Sequence, residues 1–261
     1  MLCVVSVVYR SFPTSHMAKT YQGKQPAAKK QKVTQECSSA STSDFSSRSI
    51  KIERFVVLGQ LMDTPIPKVA KTLKWEKFLQ QGGKANATIV REFYRGINPK
   101  SINYSRFYLE SKVRGVKVKL SADIIASVLG IPRPKPGTFQ YPYLKEEDYP
   151  NLDDVANSIY VDEMVNQKRW QVKFLKAEMS VLTLVLRANL DPRGTKASFN
   201  DNFARLLYET SRCTPIDVGS IIWQVVESVV KSEDSPALPF GLLVTKICSS
   251  AGVESLENDE L

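Results

Sequence analysis

The chain holds one histidine, His16, in 261 residues. That scarcity excludes most histidine-dependent chemistry, including a Cys–His nucleophile, because neither Cys213 nor Cys248 has an imidazole within the ordered body to activate it. Cysteine is also sparse. Cys3, Cys37, Cys213 and Cys248 are separated by 34, 176 and 35 residues, which matches neither a C-x-x-C pair nor a zinc knuckle. A disulfide framework needs a denser set in a smaller chain. Cys248 ends the apolar run Leu242 to Cys248 and reads as a reduced core residue, so a reducing, intracellular compartment is expected. No window reaches about 18 consecutive apolar residues, and no membrane-spanning helix or membrane partner is predicted. Leu2 to Val8 is a short apolar stretch with no preceding basic residue and no clear cleavage site, so no signal peptide is expected. An alternative reading starts the natural chain at Met17, directly before the polar tail.

Catalytic signatures are missing as well. A DDE-type transposase or integrase needs three carboxylates around two metal ions on a strand-rich fold. The acids here cluster instead at Glu146-Glu147-Asp148 and Asp153-Asp154, where a loop and a helix start explain them. Neither an Asp-Thr/Ser-Gly protease motif nor a Tyr-x-Asp-Asp polymerase motif occurs, and Gly82-Gly83 reads as a helix stop rather than a phosphate loop. The expectation is a chain that is not an enzyme, with no catalytic residues, no metal ligands and no cofactor.

The remaining composition suits a folded protein: 43% hydrophobic, 9% aromatic and 24% charged residues, with a net charge of +9. The charge is unevenly spread. Residues 1–54 carry a net +6, residues 55–143 a net +10, and residues 144–261 a net −7. A basic front can meet a polyanion, the two halves can attract each other, or copies can associate head to tail; charge alone does not choose.

Residues 1–49 read as a basic, Ser/Thr-rich disordered tail. Nine of the sixteen residues from Thr34 to Ser49 are Ser or Thr, too few apolar groups to offset the entropy of ordering. Within the tail, Lys29-Lys30-Gln31-Lys32 follows Pro26 and is expected to be extended and accessible. Lys29, Lys30 and Lys32 therefore form a candidate nuclear-import signal, with an import receptor as partner and the nucleus as predicted location; a cytoplasmic location is the alternative.

From residue 50 to 254 the pattern becomes globular. Helices are predicted over Pro67–Gln81, from the Asn86 cap to Ile97, from the Ser121 cap to Leu129, over Trp170–Leu190, from Ser198, from Asp217, and after Pro239 to Ala251. Residues 144–170 are acidic and read as partly helical. Tyr104–Lys112 and Val116–Leu120 form a hairpin around Arg114-Gly115, with Val116, Val118 and Leu120 facing a core and Lys117 and Lys119 facing water. The fold class is mainly α: a compact domain of about seven or eight helices with one β-hairpin. Residues 255–261 form an acidic end expected to fray.

The clearest positive signal is basic and aromatic. Residues 84–119 hold nine basic side chains against two acids, interleaved with Tyr94, Tyr104, Phe107 and Tyr108. Arg91, Arg95, Arg106, Arg114, Lys117 and Lys119 are the candidate nucleic-acid-binding residues, since cations neutralise phosphates and aromatics stack on exposed bases. The competing reading makes the aromatics core and the cations a solvated face.

Several stretches in order resemble the plant transposon protein domain family, a retroelement-associated domain. They are Val90-Arg91-Glu92-Phe93-Tyr94, Val113 to Val118, Ile124 to Pro132, Ala188 to Pro192, Ala204 to Tyr208, Ile216 to Ile222, and Leu238 to Val253. The chain departs from the family pattern after Asp191-Pro192, where Gly194-Thr195-Lys196-Ala197-Ser198 replaces a Ser/Thr/His-rich stretch. The resemblance implies a mobile-element origin and carries no catalytic residues over. It points to a non-enzymatic binding or assembly module, with other element-encoded proteins or further copies as partners. A sequence-tolerant nucleic-acid binder is the alternative, and a degenerate transposition enzyme is the remote third.

Overall fold

The computed structural model describes residues 45–260, apart from residues 136, 144, 162–169, 193–196, 233–234 and 236. The import-signal residues Lys29, Lys30 and Lys32 lie outside the described residues, as does nearly all of the tail. The body begins earlier than composition suggested. Phe45 is buried, with the Arg48 guanidinium over its ring, and β1 (Ser49–Ile50) pairs in parallel with β4 (Ala237–Leu238). Two-residue strands leave no periodicity to read, which is why this pairing was not foreseen.

Among the described residues there are nine α-helices, eight of them of eight residues or more, and one antiparallel hairpin. The expectation of a mainly helical domain with a hairpin holds. Helices α1 (Ile66–Leu73) and α2 (Glu76–Leu79) replace the single helix predicted over 67–81. The break is at Lys74, which adopts a left-handed conformation with φ 58°. In an unbroken helix, Trp75 would point well away from the Val69–Ala70 face. The break brings Trp75 inward, where it packs edge-on against Phe78 at 6.0 Å.

Helix α3 (Ala87–Arg95) begins where Asn86 Oδ1 accepts from Ile89 N–H at 3.0 Å. The hairpin follows as β2 (Tyr108–Val113) and β3 (Val116–Ser121), in register from Tyr108 opposite Ser121 to Val113 opposite Val116. Arg114 (φ 50°) and Gly115 (φ 81°) form its two-residue turn, both left-handed, as the strand twist favours. Leu109, Val113, Val118 and Leu120 are buried, and Lys112, Lys117 and Lys119 are exposed on the other face. Gly96, after α3, lies so close to the Lys112 carbonyl that a β-carbon there would overlap it. That contact fixes α3 along the edge of β2.

Helix α4 (Ala122–Leu129) is capped by Ser121 and packs on α8 (Val218–Lys231), which is capped by Asp217. Helix α5 (Leu152–Ile159) packs on α7 (Asp201–Ser211), and α7 on α6 (Ala177–Asn189). Helix α6 starts later than its predicted origin at Trp170. The backbone at 171–176 is bonded elsewhere, with Val172 N–H donating to Ala197 O and Lys176 N–H to Ile159 O. Trp170 stacks on Phe199 at 5.8 Å instead of opening the helix. Asn200, rather than Ser198, caps α7 through a bond from Phe203 N–H.

Helix α9 (Gly241–Ser250) packs against α3, α4 and β3. Its own cap residue, Phe240, has no side-chain acceptor. Glu53, from the segment after β1, fills that role and accepts from Leu242 and Leu243 N–H at 3.0 and 2.8 Å.

Candidate binding surface on α3 and the hairpin

The six basic candidates fall into two groups. Arg95, Arg106 and Lys119 are exposed, and no ion pair among the described residues engages them. Arg91, Arg114 and Lys117 are already paired. Lys117 Nζ sits 2.6 Å from Glu110 on the neighbouring strand. Glu110 also accepts from the Tyr108 hydroxyl, and these bonds, Lys117 first, hold its carboxyl below the usual range. Burial, and then Glu110, push the Tyr108 hydroxyl up to about 12.

Arg91 and Arg114 engage the acidic stretch after α9. Arg91 Nη1 lies 2.5 Å from Glu260. The Arg114 guanidinium grips Asp259, reaches Glu92 at 3.7 Å and donates to the Glu254 carbonyl at 2.5 Å. Asn86 caps α3 through its oxygen and donates through its nitrogen to Asp259 at 2.7 Å. Ala87 N–H, one of the helix-end donors without an internal acceptor, donates to Glu260 O at 2.7 Å. The Asp259 side chain is only 4% exposed, and its bonds to Arg114 and then Asn86 hold its carboxyl down at about 2. The Glu257 side chain is left in solvent. The sequence contained this site only as an acidic end and a basic front; which side chains meet is decided by the path from α9 back across α3.

The aromatics divide similarly. Tyr94 is core, its hydroxyl donating to Pro239 O at 2.8 Å. Phe107 packs its ring edge-on to Trp223 at 5.4 Å. Tyr104 is exposed, but Lys231 lies 4.5 Å over its ring and its hydroxyl donates to Glu227. The array of stacking platforms suggested by the sequence is not assembled on one surface.

A second polar cluster escaped the sequence reading. Arg133, in the proline-rich loop, places Nε 3.1 Å from both Asp217 oxygens and Nη1 2.5 Å from Asp123. Asp217 also accepts from the Ser220 hydroxyl at 2.6 Å. This network ties the loop to the starts of α4 and α8. Cys248 is buried, and burial pushes its thiol up to about 12, far from a reactive thiolate. Among the described residues, no group of three His, Cys, Asp or Glu side chains is placed to hold a metal ion.

Two groups of exposed like charge stand out along the chain. Arg95, Arg106, Lys112, Lys117 and Lys119 lie on α3, the loop and the hairpin, whereas Glu146, Glu147, Asp148, Asp153 and Asp154 lie at and before α5. Among the described residues no ion pair joins the second group to the first.

The family model described as Putative plant retrotransposon-related domain matches residues 71–254, from α1 to the end of α9 and just beyond. The chain belongs to this family, and its origin is that of a retrotransposon-derived protein. Searches of curated proteins and of solved structures gave no match.

Proposed function

We propose that this retrotransposon-derived chain is a non-enzymatic assembly module in which copies bind one another head to tail. The observation that carries the reading is the pair of exposed, oppositely charged groups, in which Arg95, Arg106, Lys119, Glu146 and Asp148 make no ion pair among the described residues, while Lys117 and Glu147 pair only with their neighbours Glu110 and Lys145. The basic group of one copy meets the acidic stretch 146–154 of the next. Charge complementarity of this kind sets orientation and association rate, while apolar area supplies much of the affinity. Residues 52–62 contribute such area, with Ile52, Phe55, Val57 and Met62 on the surface. The run Lys29, Lys30 and Lys32 serves nuclear import in this reading. Light scattering tests it: the mean mass should rise with concentration at low salt and fall back to one copy at high salt. A single copy at every concentration at low salt overturns it.

A second reading, a nucleic-acid strand on the same basic group, is favoured by Arg95, Arg106 and Lys119, which are exposed and make no ion pair among the described residues. It predicts filter binding that weakens steeply with salt and on Lys117→Glu with Lys119→Glu.

A further inference from the structure

We infer that the outer edge of β3 is a docking site for an extended acidic segment of another protein, which adds there as an antiparallel third strand. This contact lies outside the assembly reading, in which charged side chains of folded copies meet. On β2, Tyr108, Glu110 and Lys112 turn their backbone groups away from β3. Tyr108 exchanges bonds with Asn103 at 3.1 and 2.8 Å, Asn98 N–H donates to Glu110 O at 2.9 Å, and Lys112 N–H donates to Gly96 O at 3.0 Å. The register sets Lys119 opposite Glu110 and Lys117 opposite Lys112. Opposed residues of this kind share no ladder bond, so the N–H and C=O groups of Lys117 and Lys119 point to the outer side of β3. Among the described residues, no hydrogen bond engages those backbone groups.

Charge selects the occupant. The exposed face of the two strands carries Lys112, Lys117 and Lys119 against one acid, Glu110, which Lys117 holds at 2.6 Å. Lys112 and Lys119 make no ion pair among the described residues. A strand added to β3 sets every second side chain on this face, beside Lys117 and Lys119, and acidic residues are favoured there. A second copy's β3 is the wrong occupant. Paired antiparallel about Val118, it sets Lys117 of one copy opposite Lys119 of the other, and like charges directly opposed repel. The exposed acids before and in α5 are not extended either, since Glu146–Asp148 form a short 3-10 helix and Asp153 and Asp154 lie in the first turn of α5. The partner that fits is a foreign chain with Glu or Asp at alternate positions, whose backbone supplies affinity while the lysines choose its sequence.

The experiment uses the full chain and a short fluorescent peptide of alternating Glu and Val, with two N-methylated versions of the same charge. In antiparallel addition the glutamates exchange backbone bonds with Lys117 and Lys119, while the valine N–H groups point away. Fluorescence polarisation should show binding of the parent peptide, a roughly tenfold loss on N-methylation of the glutamates, and little change on N-methylation of the valines. Lys119→Gln, which breaks no ion pair among the described residues, should weaken the parent peptide roughly threefold. No binding of the parent peptide overturns the inference. So does binding of the glutamate-methylated peptide as tight as that of the valine-methylated one, which would mean attraction by charge alone. Peptide binding with no assembly in light scattering sinks the assembly reading while sparing the edge. Assembly without peptide binding sinks the edge alone.

Discussion

Arg114 and Asp259, 145 residues apart in the chain, form the ion pair that ties the end of the described chain to the hairpin turn. Arg114 sits there in a left-handed conformation, which is uncommon for a residue other than glycine, asparagine or aspartate. Its guanidinium bonds, to Asp259, Glu92 and the Glu254 carbonyl, hold that turn from outside the strand pair.

The pair carries an acid dependence. The folded-state carboxyl of Asp259 is lowered to about 2, so its contribution is fully present above the ordinary aspartate value. It is lost as pH falls through that value towards about 2. Thermal melting of wild type and Asp259→Asn should therefore differ at neutral pH, with the wild type more stable, and the difference should shrink on acidification. A gap that stays constant down to about pH 2 contradicts the assignment.

Glu53 titrates with the opposite sign. Burial raises its carboxyl above the ordinary range, although its bonds from Leu242 and Leu243 N–H oppose the shift. A raised folded-state value means that this group's contribution declines as pH rises from the ordinary value through the raised one. Replacement by alanine still destabilises, because two helix-end N–H groups lose their acceptor; a loss of about 2 kcal/mol is expected in urea denaturation. Glu53→Gln keeps one acceptor and should lose less, with a flatter pH profile across the acid range.

Gly96 joins α3 to β2 at a distance that admits no side chain. Gly96→Ala places a methyl against the Lys112 carbonyl, and the helix and strand must part. The expected loss is about 2–3 kcal/mol in denaturant unfolding. An unchanged midpoint would show that the two elements are not rigidly joined there.

The import reading concerns the tail and is tested in cells. A fluorescent fusion carrying Lys29→Ala and Lys30→Ala should move from nucleus to cytoplasm. An unchanged nuclear signal rejects the role of these lysines.

Much of the body was legible because its signals are local. Asn86, Ser121 and Asp217 each stand where a cap is needed and accept as caps. The alternation of Val116, Val118 and Leu120 with Lys117 and Lys119 placed the hairpin face correctly. The break at Lys74 was not legible, since neither glycine nor proline marks it and burial of Trp75 decides it. The late start of α6 was hidden for the same reason, its first residues being bonded to the 159 and 197 segments. The candidate surface was half legible. Residues 84–119 were visibly basic, but the pairing of Arg91 and Arg114 with Glu260 and Asp259 depends on the long-range chain path. Local composition holds no record of that path.

Assembly between oppositely charged groups is the central claim, and a charge exchange tests it most directly. One variant carries Arg95→Glu and Lys119→Glu, the other Glu146→Lys and Asp148→Lys; none of these four side chains gives up an ion pair among the described residues. In low-salt sedimentation velocity each variant alone should remain a single copy, and an equimolar mixture should form complexes. Variants that assemble alone as the wild type does, or a mixture that stays monomeric, would contradict the account.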